Sequence, residues 1–258
     1  MRARLRRGLL GLSLVLVFAA VAVAAQGSLL DEIVQRGELR VGMTGDYKPF
    51  TYRDGDDWSG IDVDLTRSLA KTLGVKVVIV PTTWKAITDD LMEGKYDIAM
   101  GGVSVKMDRQ RRGLFSIPYF VTGKTPITRA ENVDRFQTLE QIDRPEVTVI
   151  VNPGGTNERF ARAHLKKAKI IVYDDNVTIF DKIVDGTADL MMTDGVETLL
   201  QQKLRPELKA VHPYEPFDRF EKAYLMPRDI IWKEYVDQWL HTAELTGELQ
   251  AVCDRWLK

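Results

Sequence analysis

The sequence predicts an α/β protein of two lobes with a ligand cleft between them. Three observations carry this expectation. Short β-branched runs alternate with helical patterns from Leu29 to Met100, which marks βαβ units on a mostly parallel sheet. A second alternating series of similar size runs from Val147 to Leu204. No repeat, low-complexity tract or long linker separates the two series. The composition is that of an ordinary globular chain, 45% hydrophobic and 28% charged over 258 residues, enough for one or two domains with cores of their own.

The N-terminus reads as a leader. Arg2, Arg4, Arg6 and Arg7 precede the apolar run from Leu9 to Val23, which is too short for an ordinary transmembrane helix of about 20 residues. Ala22-Val23-Ala24 fits a small-residue cleavage site, so residues 1–25 are expected to be a secretory signal peptide. Removing those four arginines leaves 32 basic against 37 acidic residues, a net charge near −5, which offers no electrostatic case for nucleic acid. The single cysteine, Cys253, cannot form an internal disulfide, and no cysteine follows the leader to carry a lipid. A soluble periplasmic protein without a stable membrane anchor is expected.

In chain order, Leu29–Arg36 has helical spacing and ends at Gly37. Leu39–Met43 reads as a strand, Asp46–Phe50 as a loop, and Ile61–Leu73 as an amphipathic helix stopped by Gly74. Val75–Val80 is β-branched, Trp84–Met92 helical, and Asp97–Met100 extended before Gly101-Gly102. Phe115–Tyr119 looks extended, and Gly123-Lys124 is a candidate crossing between lobes. The second series follows: a strand Val147–Val151, a turn Pro153–Asn157, a helix Glu158–Lys167, a strand Ile170–Val172, a helix Val177–Val184 and a strand Ala188–Met192. Tyr224–Met226 is extended and Ile231–Leu257 helical. The expected division is 26–123 plus 222–258 for one lobe and 124–221 for the other.

The stretch Leu190–Glu197 organises this plan. It reads as a buried strand, then a turn, then the start of a helix, and open α/β sheets bind ligands outside the C-terminal ends of their strands. Asp194 and Glu197 both fall there. Their spacing also fits a capping box, with Asp194 as N-cap and Glu197 three residues on, so spacing alone leaves Glu197 as either a cap or an acid.

Ordered landmarks along nearly the whole mature chain carry a resemblance. Asp46…Pro49-Phe50, Gly60-Ile61-Asp62-Val63-Asp64, Trp84, Asp97-Ile98-Ala99, Arg109, Phe115–Tyr119, Gly155-Thr156 and Trp256 together resemble the polar-amino-acid periplasmic binding proteins (solute-binding family 3). That family implies a type II binding-protein fold of two lobes that close on a ligand. Within it, Thr44–Phe50, Gly123–Thr128, Val151–Asn157 and Asp189–Asp194 resemble the periplasmic cyclohexadienyl dehydratases, lyases that convert prephenate or L-arogenate to phenylpyruvate or L-phenylalanine. The alternative is an amino-acid receptor of an ABC transporter, which binds without turnover.

The dehydratase resemblance implies expulsion of a ring hydroxyl while the ring carboxylate leaves as carbon dioxide. Such a step needs a proton donor and no cofactor. A well-placed carboxylic acid gives about 10²- to 10⁴-fold, best with a pKa raised toward neutrality by burial. The resemblance assigns that role to Glu197. It assigns the α-carboxylate to Arg109, whose planar fork matches a carboxylate, with Ser104 and the Gly102 backbone assisting; Arg109 could instead be solvated beside Arg111 and Arg112. Thr156 and Asn157 open a helix whose free amides favour an anion, though Thr156 could simply cap it. Asn152 and Asn157 could orient a carboxylate or the hydroxyl, or only steady their turn. Lys124 could balance the ring carboxylate or be an ordinary surface lysine. Trp84 and Phe50 are candidate ring walls or core aromatics. Asp46 is a candidate acceptor or a turn cap. Asp194 aligns with the ammonium-binding aspartate of the receptors, suited to arogenate and needing to be screened for prephenate. His164, His212 and His241 have no ligand spacing, so no metal is expected. No nucleophile motif or dinucleotide fingerprint is present.

Overall fold

The computed structural model describes residues 27–258; the leader assigned to residues 1–25 lies outside them. Two separate five-stranded sheets organise the chain. The first runs Lys76–Pro81, Glu38–Met43, Ile98–Ala99, Leu225–Met226, Leu114–Phe115. Its first three strands are parallel, and Leu225–Met226 is antiparallel to both its neighbours. The second runs Lys169–Val172, Thr148–Val151, Leu190–Asp194, Lys124–Arg129, Leu208–Ala210, with Lys124–Arg129 antiparallel to both of its neighbours. Each sheet packs apolar residues on both faces: Val41, Ile98 and Trp232 lie in one core of the first lobe, Val149, Leu190 and Phe160 in one core of the second. The α/β two-lobe expectation therefore holds.

Two short strands, Phe120–Thr122 and Phe220–Lys222, pair antiparallel as a ribbon between the sheets. The chain passes straight from the first of these through Gly123 into Lys124–Arg129. Gly123 is required there, because a Cβ would sit 1.8 Å from the Asp218 carbonyl oxygen.

Local chemistry explains most element ends. Ser28 and Asp31 form a capping box at the helix Leu29–Arg36, and Gly37 closes it in the left-handed region at φ 73°. The C-terminal segment is two helices, Ile230–Leu245 and Glu248–Leu257, where the periodicity predicts one. Gly247 at φ 76° breaks it, a conformation that only glycine adopts without cost. The helix expected from Trp84 is confined to Ile87–Met92, with Thr83 turning the chain ahead of it. The helix expected at Val177 is confined to Asp181–Val184, because Asp175 takes the amides of Val177 and Thr178 into a turn.

Two features were not legible in the pattern. Where a loop was expected after Met43, a small antiparallel sheet forms from Asp46–Tyr47, Thr51–Asp54 and Asp57–Ser59; its strands are too short to show a period. A four-residue helix, Met107–Gln110, carries Arg109. Among the described residues no helix is long and apolar enough to cross a membrane.

Candidate active site

The strand Leu190–Asp194 ends at the seam between the lobes, where Asp194 is 2% exposed. Lys124 stands directly opposite it on the neighbouring antiparallel strand and donates to Asp194 Oδ1. Lys222, on the returning crossing, donates to Asp194 Oδ2 at 2.7 Å. The Tyr47 hydroxyl, from the first lobe, donates to the same oxygen. Burial pushes this carboxyl up, but the two ammonium groups outweigh it and hold Asp194 far below the ordinary carboxylate range. Burial, partly offset by Asp194, pulls Lys222 down to about 8.

Both lysines spend all three of their N–H donors on the protein. Lys124 reaches Asp194, Asn157 Oδ1 and Thr156 Oγ1, the last at 2.9 Å. Lys222 reaches Asp194, the Gly102 carbonyl at 2.8 Å and Ser104 Oγ at 3.0 Å. Neither ammonium has an N–H left over for a further hydrogen bond. Breaking one partner of such a buried cluster costs about 3–5 kcal/mol.

Glu197 is 1% exposed and sits three residues past Asp194 at the start of the helix Gly195–Leu204. The capping box that its spacing allows is not made: Asp194 caps no amide with its side chain. Glu197 instead accepts from Thr193 Oγ1 at 2.5 Å. Thr193 Oγ1 accepts from Asn157 Nδ2 at 3.1 Å, and the same Nδ2 donates to Asn152 Oδ1 at 2.9 Å. Burial, reinforced by the negative fields of Asp194 and Asp46 and opposed by the Thr193 bond, lifts Glu197 from 4.5 to about 8. At neutral pH it is a protonated acid.

Arg109 is 4% exposed and donates to the Ser104 carbonyl at 3.1 Å. Burial lowers its pKa to about 10, so it stays cationic. No carboxylate among the described residues pairs with it within 4.0 Å, and it lines a cavity. Trp84, Ser104, Asn152, Thr156 and Asp194 line that cavity too. Gly102 lines it without offering a donor, because its N–H goes to Asp62 Oδ2 at 2.6 Å. The Asp62 carboxyl is buried and needs that amide. Phe50 lies behind the wall, fully buried against Tyr47 with ring centroids 5.1 Å apart; Tyr47 joins Trp84 in facing the cavity. Asp46 accepts from Trp84 Nε1 at 3.0 Å, and burial raises its pKa. Asp46 and Glu197 line a second cavity of similar volume, about 320 Å³ each, and Asn176 lines both.

Of the residues expected at the site, Trp84, Gly102, Ser104, Arg109, Asn152, Thr156, Asn157 and Asp194 line the first cavity, Asp46 and Glu197 line the second, Lys124 stands behind Asp194, and Phe50 lies behind Tyr47. Tyr47, Lys222, Thr193 and Asn176 join them unforeseen. Thr193 lay inside the organising stretch, yet a threonine in a buried strand is ordinary. Lys222 lies 28 residues from Asp194 in sequence, and only the return of the chain through the ribbon brings them together. With Glu197 neutral, Arg109, Lys124 and Lys222 against Asp194 and Asp46 leave an excess of one positive charge. A group of that sign suits an anionic ligand. Among the described residues no cluster of three His, Cys, Asp or Glu could hold a metal.

Residues 39–258 match the family described as bacterial extracellular solute-binding proteins, family 3. A cyclohexadienyl dehydratase of Pseudomonas aeruginosa is 57% identical over 243 residues, 94% of this chain and 91% of that one. Among solved structures, an ancestral amino acid-binding protein described as a precursor of cyclohexadienyl dehydratase is 36% identical. It superposes with a TM-score of 0.84 over 90% of this chain and 100% of its own. An ancestral cyclohexadienyl dehydratase is 54% identical and superposes with a TM-score of 0.57 over 90% of this chain and 97% of its own.

Proposed function

The chain belongs to the bacterial extracellular solute-binding proteins, family 3, and we propose that it acts there as a periplasmic cyclohexadienyl dehydratase. It is a carbon–oxygen lyase that takes prephenate to phenylpyruvate and L-arogenate to L-phenylalanine. Residues 1–25 are its export leader. One lobe combines 26–123 with 222–258 and the other spans 124–221.

Arg109 grips the α-carboxylate end of the substrate with two parallel hydrogen bonds, helped by the Ser104 hydroxyl. The Asn152 amide, the Thr156 hydroxyl and the backbone N–H of Asn157 receive the second carboxylate at the opening of the helix Thr156–His164. Tyr47 and Trp84 wall the ring, and Phe50 backs them. Asp46 holds Trp84 in place. The Glu197 proton passes to the ring hydroxyl, the carbon–oxygen bond breaks, and water leaves. The pair from the bond to the ring carboxylate completes the aromatic ring as carbon dioxide departs. That carboxylate must be balanced but not clamped, which suits two lysines whose donors are already spent on Asp194 and its neighbours. None of these steps calls on a cofactor.

The observation that carries this reading is a sealed carboxyl, raised to about 8, that caps nothing. A receptor has no use for a neutral buried acid, and its ligand-ammonium site would need the Asp194 oxygens that Lys124 and Lys222 occupy. The test is to incubate the mature protein with prephenate and follow phenylpyruvate, with Glu197→Gln alongside. Turnover lost in the variant with prephenate still bound is expected. Tight binding of an ordinary amino acid by the unaltered protein, with no product from prephenate, would establish a receptor instead.

A further inference from the structure

We propose that Asn176 seats the departing hydroxyl of the substrate. This rests on the dehydratase reading and extends it to a residue to which neither sequence pattern nor resemblance assigned a role.

Asn176 is 4% exposed. Its Nδ2 donates across the cleft to the Asp46 backbone carbonyl at 2.9 Å. A carbonyl oxygen only accepts, so the amide orientation follows: nitrogen toward Asp46, oxygen away from it. Asn176 Oδ1 is buried and finds no partner among the described residues. A buried amide oxygen left without a donor is costly, so this position favours a ligand that brings an O–H or N–H.

The place of Asn176 narrows the choice. It lines the Arg109 cavity and also the one that Glu197 and Asp46 line. A substrate gripped by Arg109 and protonated by Glu197 spans both and passes Asn176 at the junction. The reacting hydroxyl is the donor it carries there. If that hydrogen goes to Asn176 Oδ1, the oxygen lone pairs are left for the acid.

The hydrogen bonds behind Glu197 set the complementary half. An ammonium only donates, so Lys124 fixes Asn157 with its oxygen toward the lysine. Asn157 Nδ2 then donates to Thr193 Oγ1, and the one Thr193 hydrogen goes to Glu197 Oε2. The acidic proton of Glu197 accordingly sits on Oε1. It moves to the hydroxyl oxygen, which keeps the electron pair of the breaking carbon–oxygen bond and leaves as water, still donating to Asn176. The amide takes no proton; it is a positioning residue.

The experiment compares Asn176→Leu and Asn176→Ala with the unaltered protein and with Glu197→Gln, on prephenate and on L-arogenate. Binding of phenylpyruvate, which has no ring hydroxyl, is measured in parallel, and thermal unfolding reports whether each variant is folded. Both Asn176 variants should lose about tenfold or more in kcat on both substrates, while phenylpyruvate affinity changes little. Phenylpyruvate affinity falling in step with kcat, or a loss confined to arogenate and so traceable to its ammonium, would overturn the assignment. An inactive Glu197→Gln beside a fully active Asn176→Ala would overturn it too, while leaving the dehydratase reading intact. A fully active Glu197→Gln would instead remove the reading on which it stands.

Discussion

Lys222 Nζ lies 2.7 Å from Asp194 Oδ2, and the aspartate is thereby spent before any ligand arrives. A strand-end carboxylate of this kind, left open, holds a ligand ammonium. With Lys222 and Lys124 on its two oxygens, it becomes the anchor of a positive field. Replacing Lys222 by Met should therefore raise KM for prephenate by roughly tenfold or more and give the protein measurable affinity for an amino acid with a free ammonium. Calorimetric titration reads both. The variant should also lose stability, up to about 3–5 kcal/mol if no water relieves the orphaned carboxylate.

Glu197 couples activity to pH with a definite sign. As a general acid it must be protonated, so kcat should fall as pH rises through about 8. Its folded pKa lies above the ordinary 4.5, so the folded state binds the extra proton between those values. The stability it contributes is full below 4.5 and is lost as pH rises toward and through 8, by about 1.4 kcal/mol per pH unit at most. Glu197→Gln removes that slope. It should be inactive, yet more resistant than the parent to denaturant at pH 8 to 9. Equal pH dependence of unfolding in the two proteins would refute this linkage.

Thr193 opposes the burial effect by donating to Glu197. Thr193→Val keeps the shape and removes the donor. The alkaline limb of the kcat profile should then move to higher pH while the plateau drops, because the carboxyl loses both its stabilising partner and its orientation. Thr193→Ser should restore both. A plateau that drops with no movement of the limb would mean packing alone.

Arg109 is buried at the cavity wall with no carboxylate paired to it. Arg109→Lys keeps the charge and loses the parallel pair of hydrogen bonds. KM for prephenate should rise by roughly 10- to 100-fold, with a smaller fall in kcat, as steady-state kinetics would show.

The α/β class, both lobes and most strands were readable because β-branched runs and amphipathic helices each declare their period locally. Gly37 and Gly74 marked helix ends for the same reason. Gly247 was passed over because the apolar spacing resumes on its far side, and the strands around Tyr47 are too short to have a period. Thr156 and Glu197 stand at recognisable breaks between elements, whereas Arg109, on a four-residue helix that shows no period, was singled out only by the family resemblance.

Sequence by itself determined which residue types lie at the ends of the strands, and so the stretch where chemistry would gather. Whether Glu197 capped a helix or held a proton was left to the tertiary structure, since the answer depends on burial and on charges from both lobes. Lys124, Lys222 and Tyr47 meet Asp194 only because separate strands and crossings converge there. A pKa is set by distance in space, and no spacing along the chain records that distance.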